Sequence, residues 1–274
     1  MLRRVLLTVL LVVGSGAVAS PAVALPAPAP VPATMAAVGD SITRAFDVSG
    51  SYYLRDAPAE SWSTGTDPTV NSDYQRLSAA NPGTTITAKN DAVTGAKMSA
   101  LQAQMTTAAS QAADYVTVLM GANDVCTSTV AGMTTTASFS GQFDQAMATI
   151  TGSRPKVVVF VSSIPNVYQL WSVLHTSSSA RFAWSLYGVC QDMLGSRATE
   201  AQRQAVLQQL QADNAALASL CTGKYAANCA WDGGATYKVA FTAKQVSTVD
   251  YFHPSIAGQA LLAQTAWTAG PYGH

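Results

Sequence analysis

Residues able to carry out nucleophilic acyl chemistry stand at opposite ends of the chain. Ser41 follows Gly39 and Asp40 near the start, and Asp250 and His253 lie three residues apart near the end. A serine hydroxyl is a poor nucleophile near neutral pH and needs a base to take its proton, a role that suits histidine. The base in turn needs a carboxylate to fix its tautomer and stabilise the imidazolium. Asp250 and His253 are close enough in sequence to meet within one turn of chain. An attacked ester carbonyl becomes a tetrahedral oxyanion, which needs donors already in place. The donors available are the backbone N–H groups of Ser41 and Gly95 and the side-chain amide of Asn123. The set reads as nucleophile Ser41, base His253, orienting Asp250 and an oxyanion hole of Ser41, Gly95 and Asn123.

Each part has a plainer reading. Gly39-Asp40-Ser41 is a common turn tripeptide. Gly95 could simply open a helix, Asn123-Asp124 could be an ordinary turn, and His253 before Pro254 could be a cap. What outweighs these readings is order, because all the groups fall at the ends of expected strands along one sheet edge. Sites in open parallel sheets form there. Asp40 and Asp124 are expected to be structural hydrogen-bond partners rather than acids. His175 and His274 are expected to take no part.

The elements that must position these groups follow from hydrophobic pattern. Strands are expected at 35–38, 84–89, 114–120, 156–162 and 237–241, with 156–162 the clearest because its near-continuous apolar run suits a strand covered on both faces. Helices are expected at 72–80, after Gly95 with Met98, Leu101 and Met105 on one face, at 138–151, at 200–220 and from Pro254 to Trp267. Residues 42–68 read as a helix start followed by a surface loop carrying Tyr52, Tyr53 and Trp62. Alternating strands and helices imply a parallel sheet with helices on both faces. Residues 165–195 form an aromatic-rich insertion. Its aromatic side chains, Trp171 and Trp184 among them, either complete the core or wall an acyl-binding site.

Residues 1–24 have the form of a secretory signal peptide: Arg3 and Arg4, an apolar run at 5–13, then small residues. Residues 25–34 read as a Pro/Ala-rich linker, leaving 35–274 as the domain. No second apolar run is long enough to cross a bilayer. The whole chain carries 15 basic and 15 acidic residues; without Arg3 and Arg4 the count is 13 against 15, a net charge of −2. Charged residues make up only 11% of the chain. No clustered basic face points to nucleic acid. Four cysteines in a secreted chain suggest two disulfides, and three pairings are open. The short Cys221–Cys229 interval favours that link, which leaves Cys126–Cys190. Their spacing matches no usual zinc site.

Gly39-Asp40-Ser41, Gly95, Gly121-Ala122-Asn123-Asp124 and Asp250-Tyr251-Phe252-His253-Pro254 resemble, in order, the four blocks of SGNH hydrolases, also called GDSL esterases/lipases. The blocks span nearly the whole chain after the leader. Ile42 stands where the family name has Leu, a conservative departure. Cys126, just after the third block, is similar to the phospholipase B-like branch. The resemblance implies a flavodoxin-like three-layer α/β/α fold with a central parallel sheet of about five strands. It implies ester hydrolysis with no metal or cofactor, Ser41, His253 and Asp250 as triad, and Gly95 and Asn123 as oxyanion donors. The expected protein is a secreted monomeric serine esterase or lipase acting on a small-molecule or lipid ester. The alternatives are a carbohydrate acetyl esterase and a non-catalytic secreted binding protein on the same scaffold.

Overall fold

Strands β1 (Thr34–Gly39), β2 (Thr87–Asn90), β3 (Tyr115–Leu119), β4 (Val158–Val161) and β5 (Cys229–Trp231) form one parallel sheet in the order β2-β1-β3-β4-β5. The computed structural model describes residues 30–273. The expected signal peptide therefore lies outside the described residues. Between and after the strands come α1 (Asp73–Ala80), α2 (Leu101–Ser110), α3 (Ala122–Val125), α4 (Thr136–Ser153), α5 (Val167–Leu174), α6 (Ser178–Tyr187), α7 (Glu200–Thr222) and α8 (Ile256–Ala269). The central strands β1 and β3 are buried on both faces, as their apolar runs require.

Helices α2, α4 and α7 pack in a row, while α1 packs on α8. Alternate residues of β3 identify the second layer, since Tyr115 and Thr117 share a face. The Tyr115 hydroxyl donates to Asp73 of α1 at 2.8 Å, and Thr117 Oγ1 lies 2.6 Å from Ser63 Oγ. Helix starts follow their capping residues: Ser72 accepts from Gln75 N–H, Thr199 from Gln202 N–H and Ser255 from Gly258 N–H.

Several sequence expectations change. The fifth strand is Cys229–Trp231, and 237–241 is irregular. The Cys221–Cys229 disulfide returns the chain from the end of α7 directly to the sheet edge. Asp232 then accepts the N–H groups of Gly234 and Thr236, which turns the chain away before another strand can start. Residues 41–47 are turns, not a helix, because Ala45 and Asp47 adopt positive φ of 50° and 51°. Trp62 belongs to the core rather than to a surface loop. Its ring N–H reaches Thr43, and its backbone N–H reaches the buried Gln259 of α8. Pro254 stands before the N-cap of α8 and forms a bridge with Val246. Thr34, placed in the linker by composition, opens β1.

The insertion at 165–195 contains α5 and α6 and is tied down by Cys126–Cys190. Among the described residues no helix is long and apolar enough to cross a membrane.

Candidate active site

β1 ends at a glycine because a side chain would not fit there. A Cβ on Gly39 would come within 2.4 Å of the Leu119 carbonyl oxygen, and its φ of +152° is one that other residues rarely adopt. Buried Gln104 of α2 clamps this glycine from both sides: Gly39 N–H donates to Oε1 at 2.7 Å, and Nε2 donates to the Gly39 carbonyl at 2.9 Å. The chain then turns sharply, with Asp40 Oδ1 accepting the Ile42 N–H at 2.9 Å. Ser41 is thereby presented at the carboxyl edge of the sheet, between β1 and β3, where the strand order reverses direction.

His253 meets Ser41 across the fold, with Nε2 2.7 Å from Oγ. Nδ1 is hydrogen-bonded to Asp250 Oδ2. The other Asp250 oxygen accepts the N–H groups of Phe252 at 2.9 Å and His253 at 3.0 Å. All three side chains are buried. Burial pushes the Asp250 carboxyl up. The hydrogen bond and charge of His253 and the two backbone donors outweigh that effect, and the net value lies below the ordinary one. Phe46 and Phe252 set their rings edge-on to the imidazole, at 5.3 and 5.1 Å between centroids. Trp184 of α6 donates its ring N–H to the Tyr251 carbonyl at 2.9 Å, which anchors the loop carrying Asp250 and His253.

Gly95 has φ +81°, and a Cβ there would meet open space. A glycine suits this backbone angle, which other residues rarely adopt. Neither the Ser41 nor the Gly95 N–H donates to another backbone group in the described turns and loops. Asn123 lies in α3 after β3, and its Nδ2 donates to the Ala96 carbonyl at 3.0 Å. Asp124 Oδ2 accepts the Met98 N–H at 2.8 Å. Two adjacent residues of α3 therefore pin the Gly95 segment.

Asp40 and Asp124 act as hydrogen-bond acceptors, and both are fully buried with one oxygen unpartnered. Burial pushes Asp40 up to about 7, against the lowering effect of the Ile42 N–H. His175 caps α5 and stacks on Trp171, 4.5 Å between centroids. His274 lies outside the described residues.

Beside His253 is an apolar cleft with a free volume of about 50 Å³. Ile42, Ala122, Val167, Leu170, Phe241, Val246 and Phe252 line it, with Asn166, Gln169 and Gln245 as polar members. The insertion contributes to this wall through α5 and its lead-in, not through its tryptophans. Trp184 is core, and Trp171 packs under the Arg203 guanidinium at 4.5 Å. Sequence reasoning pointed to the 165–195 insertion as a candidate wall but missed Phe241, Gln245 and Val246 of the cleft, and Gln104. The one signal for Gln104 was a polar residue on the apolar face of α2, beside Leu101 and Met105.

Fold and site together define a doubly wound α/β protein with Ser41, His253 and Asp250 hydrogen-bonded in line at its switch point. The chain belongs to the GDSL-like lipase/acylhydrolase family, whose model matches residues 35–266, and is a carboxylic ester hydrolase. Solved structures share the fold at low identity. An α/β hydrolase from the metagenome of Lake Arreo, Spain, is 16% identical with TM-score 0.56, covering 88% of this chain and 96% of its own. An extracellular lipase from Streptomyces rimosus is 17% identical with TM-score 0.51, covering 82% and 94%. An acetyl xylan esterase from Geobacillus stearothermophilus is 15% identical with TM-score 0.50, covering 86% and 93%. No curated protein matches the sequence.

Proposed function

We propose that the protein is a secreted serine esterase that cleaves acyl esters through Ser41, His253 and Asp250. The observation that carries this reading is the buried line Ser41 Oγ–His253 Nε2, 2.7 Å, with Nδ1 on Asp250. Ser41 Oγ attacks the ester carbonyl carbon while His253 Nε2 takes the hydroxyl proton. The resulting oxyanion is received by the N–H groups of Ser41 and Gly95 and the amide of Asn123. His253 returns the proton to the departing alkoxide as the C–O bond breaks, leaving an acyl-serine. Water, deprotonated by the same imidazole, then releases the acid and restores Ser41. Secretion is supported by the leader-like residues 1–24 and by the two disulfides, which persist in oxidising compartments.

The test is Ser41→Ala. Removing one hydroxyl leaves the fold intact, and turnover on a nitrophenyl ester should fall by about 10⁶-fold. The intact enzyme, but not the variant, should be labelled by a fluorophosphonate. Near-full activity in Ser41→Ala would reject the nucleophile. The carbohydrate acetyl esterase reading stays in play because the cleft is small, and acetylated sugars belong in the same substrate panel.

A further inference from the structure

The small cleft beside His253 has walls from five separate stretches of the chain, at 42, 122, 165–170, 241–246 and 252–254. Ile42 and Ala122 adjoin the reacting groups, Val167 and Leu170 come from α5, and Phe241 comes from the segment after β5. Ala122 neighbours Asn123 in sequence. The cleft volume, about 50 Å³, is far below the roughly 300 Å³ and more of pockets that hold drug-sized ligands, which favours a short acyl chain.

Phe241 is one of the side chains that line this volume. Phe241 lies in irregular chain, with no ladder to fix it. Gln169 of α5 grips it at two points: Nε2 donates to the Phe241 carbonyl at 3.0 Å, and Oε1 accepts the Phe241 N–H at 3.3 Å. That N–H is shared with the Val239 carbonyl at 3.1 Å. Asn166 caps the start of the helix that carries Gln169, its side chain accepting the backbone N–H groups of Tyr168 and Gln169 at 3.0 and 3.2 Å. The α5 and Phe241 parts of the wall are thus joined directly through one amide.

We propose that this cleft takes the acyl chain and that Gln169 sets an upper limit on its length, holding Phe241 in the cleft wall and restricting the enzyme to short-chain acyl esters. This rests on the esterase reading above. While methylenes fit, each adds nearly fourfold to catalytic efficiency, and beyond the cleft the gain stops or reverses.

The experiment is kcat/KM on nitrophenyl esters from acetate to dodecanoate for the full chain and three variants, with Tm recorded for each. In the unaltered enzyme efficiency should rise to butyrate or hexanoate and fall at least tenfold by decanoate. Gln169→Ala should raise the decanoate-to-butyrate ratio by tenfold or more, because Phe241 is released. Gln169→Glu keeps the acceptor for the Phe241 N–H but loses the donor, and should give an intermediate ratio. Leu170→Ala enlarges the same cleft without touching the latch, and should move the optimum to longer esters even if Gln169→Ala folds poorly. An efficiency that keeps rising through dodecanoate in the unaltered enzyme would overturn the inference. So would a uniform loss of activity in folded Gln169→Ala at an unchanged ratio. Failure to cleave any ester would instead refute the esterase reading, and this inference with it.

Discussion

Replacing Asp250 with Asn tests the proposed catalytic line at the group that orients its base. The amide has the carboxylate's shape, and its oxygen can still accept the N–H groups of Phe252 and His253, now at 2.9 and 3.0 Å. The loop should therefore hold. The amide nitrogen then faces His253 Nδ1 and can only donate to it. This selects the tautomer with the proton on Nε2, which donates to Ser41 Oγ and cannot take its proton. The expected loss in kcat is about 10⁴-fold, or about 5.5 kcal/mol of barrier. The native carboxyl is held below the ordinary value of 3.8, so it stays charged across a working range of about pH 5 to 9. Its contribution to stability is present above that ordinary value and is lost as pH falls through the lower folded value. The variant should lack that acid-side loss. The assay is kcat on a nitrophenyl butyrate against pH, with Tm and near-UV circular dichroism as checks on folding. A folded variant retaining more than a tenth of native kcat would refute the tautomer argument and leave Asp250 a structural residue.

Two further outcomes concern Asp40, which directly precedes Ser41, and the two disulfides. Asp40 is raised from 3.8 to about 7, chiefly by burial. Its contribution is therefore most favourable below its unfolded value and is lost as pH rises through about 7, a cost of up to about 4 kcal/mol. Asp40→Asn should gain stability over the native protein between pH 4 and 8 in urea unfolding, and parallel curves would contradict this. The disulfides should also differ. Cys126–Cys190 spans 64 residues and Cys221–Cys229 spans 8. Loop-closure entropy then gives about 4 and about 2.5 kcal/mol respectively. Serine pairs at the two bridges should lower Tm in that order, and equal losses would mean that local packing, not loop length, governs them.

Much of the site was legible because its residues mark strand ends. Apolar runs at 35–38, 114–120 and 156–162 located β1, β3 and β4, and each stops where a glycine or a polar residue begins. Asp250 and His253, three apart, could be paired from spacing alone. The last strand was misplaced because 237–241 and Cys229–Trp231 both carry short apolar residues. Only the tether from Cys221 decides which of them reaches the sheet edge. Trp62 was placed outside for a similar reason, since nothing local reveals that Thr43 and Gln259 of α8 wait for it.

By itself the sequence determined the fold class, the order of the chemical groups and the residue types able to act. Those properties depend on local period and on the identity of single side chains. Tertiary structure alone decided how far Ser41 stands from His253, 212 residues away in sequence, and how small the cleft beside them is. It also decided that the insertion lines that cleft with Val167 and Leu170 while Trp184 anchors the Asp250 loop. The physical reason is that these are distances between segments far apart in the chain. They are set by the packing of helices on a common sheet and by a few long-range hydrogen bonds, such as Gln169 to Phe241, and no local pattern encodes them.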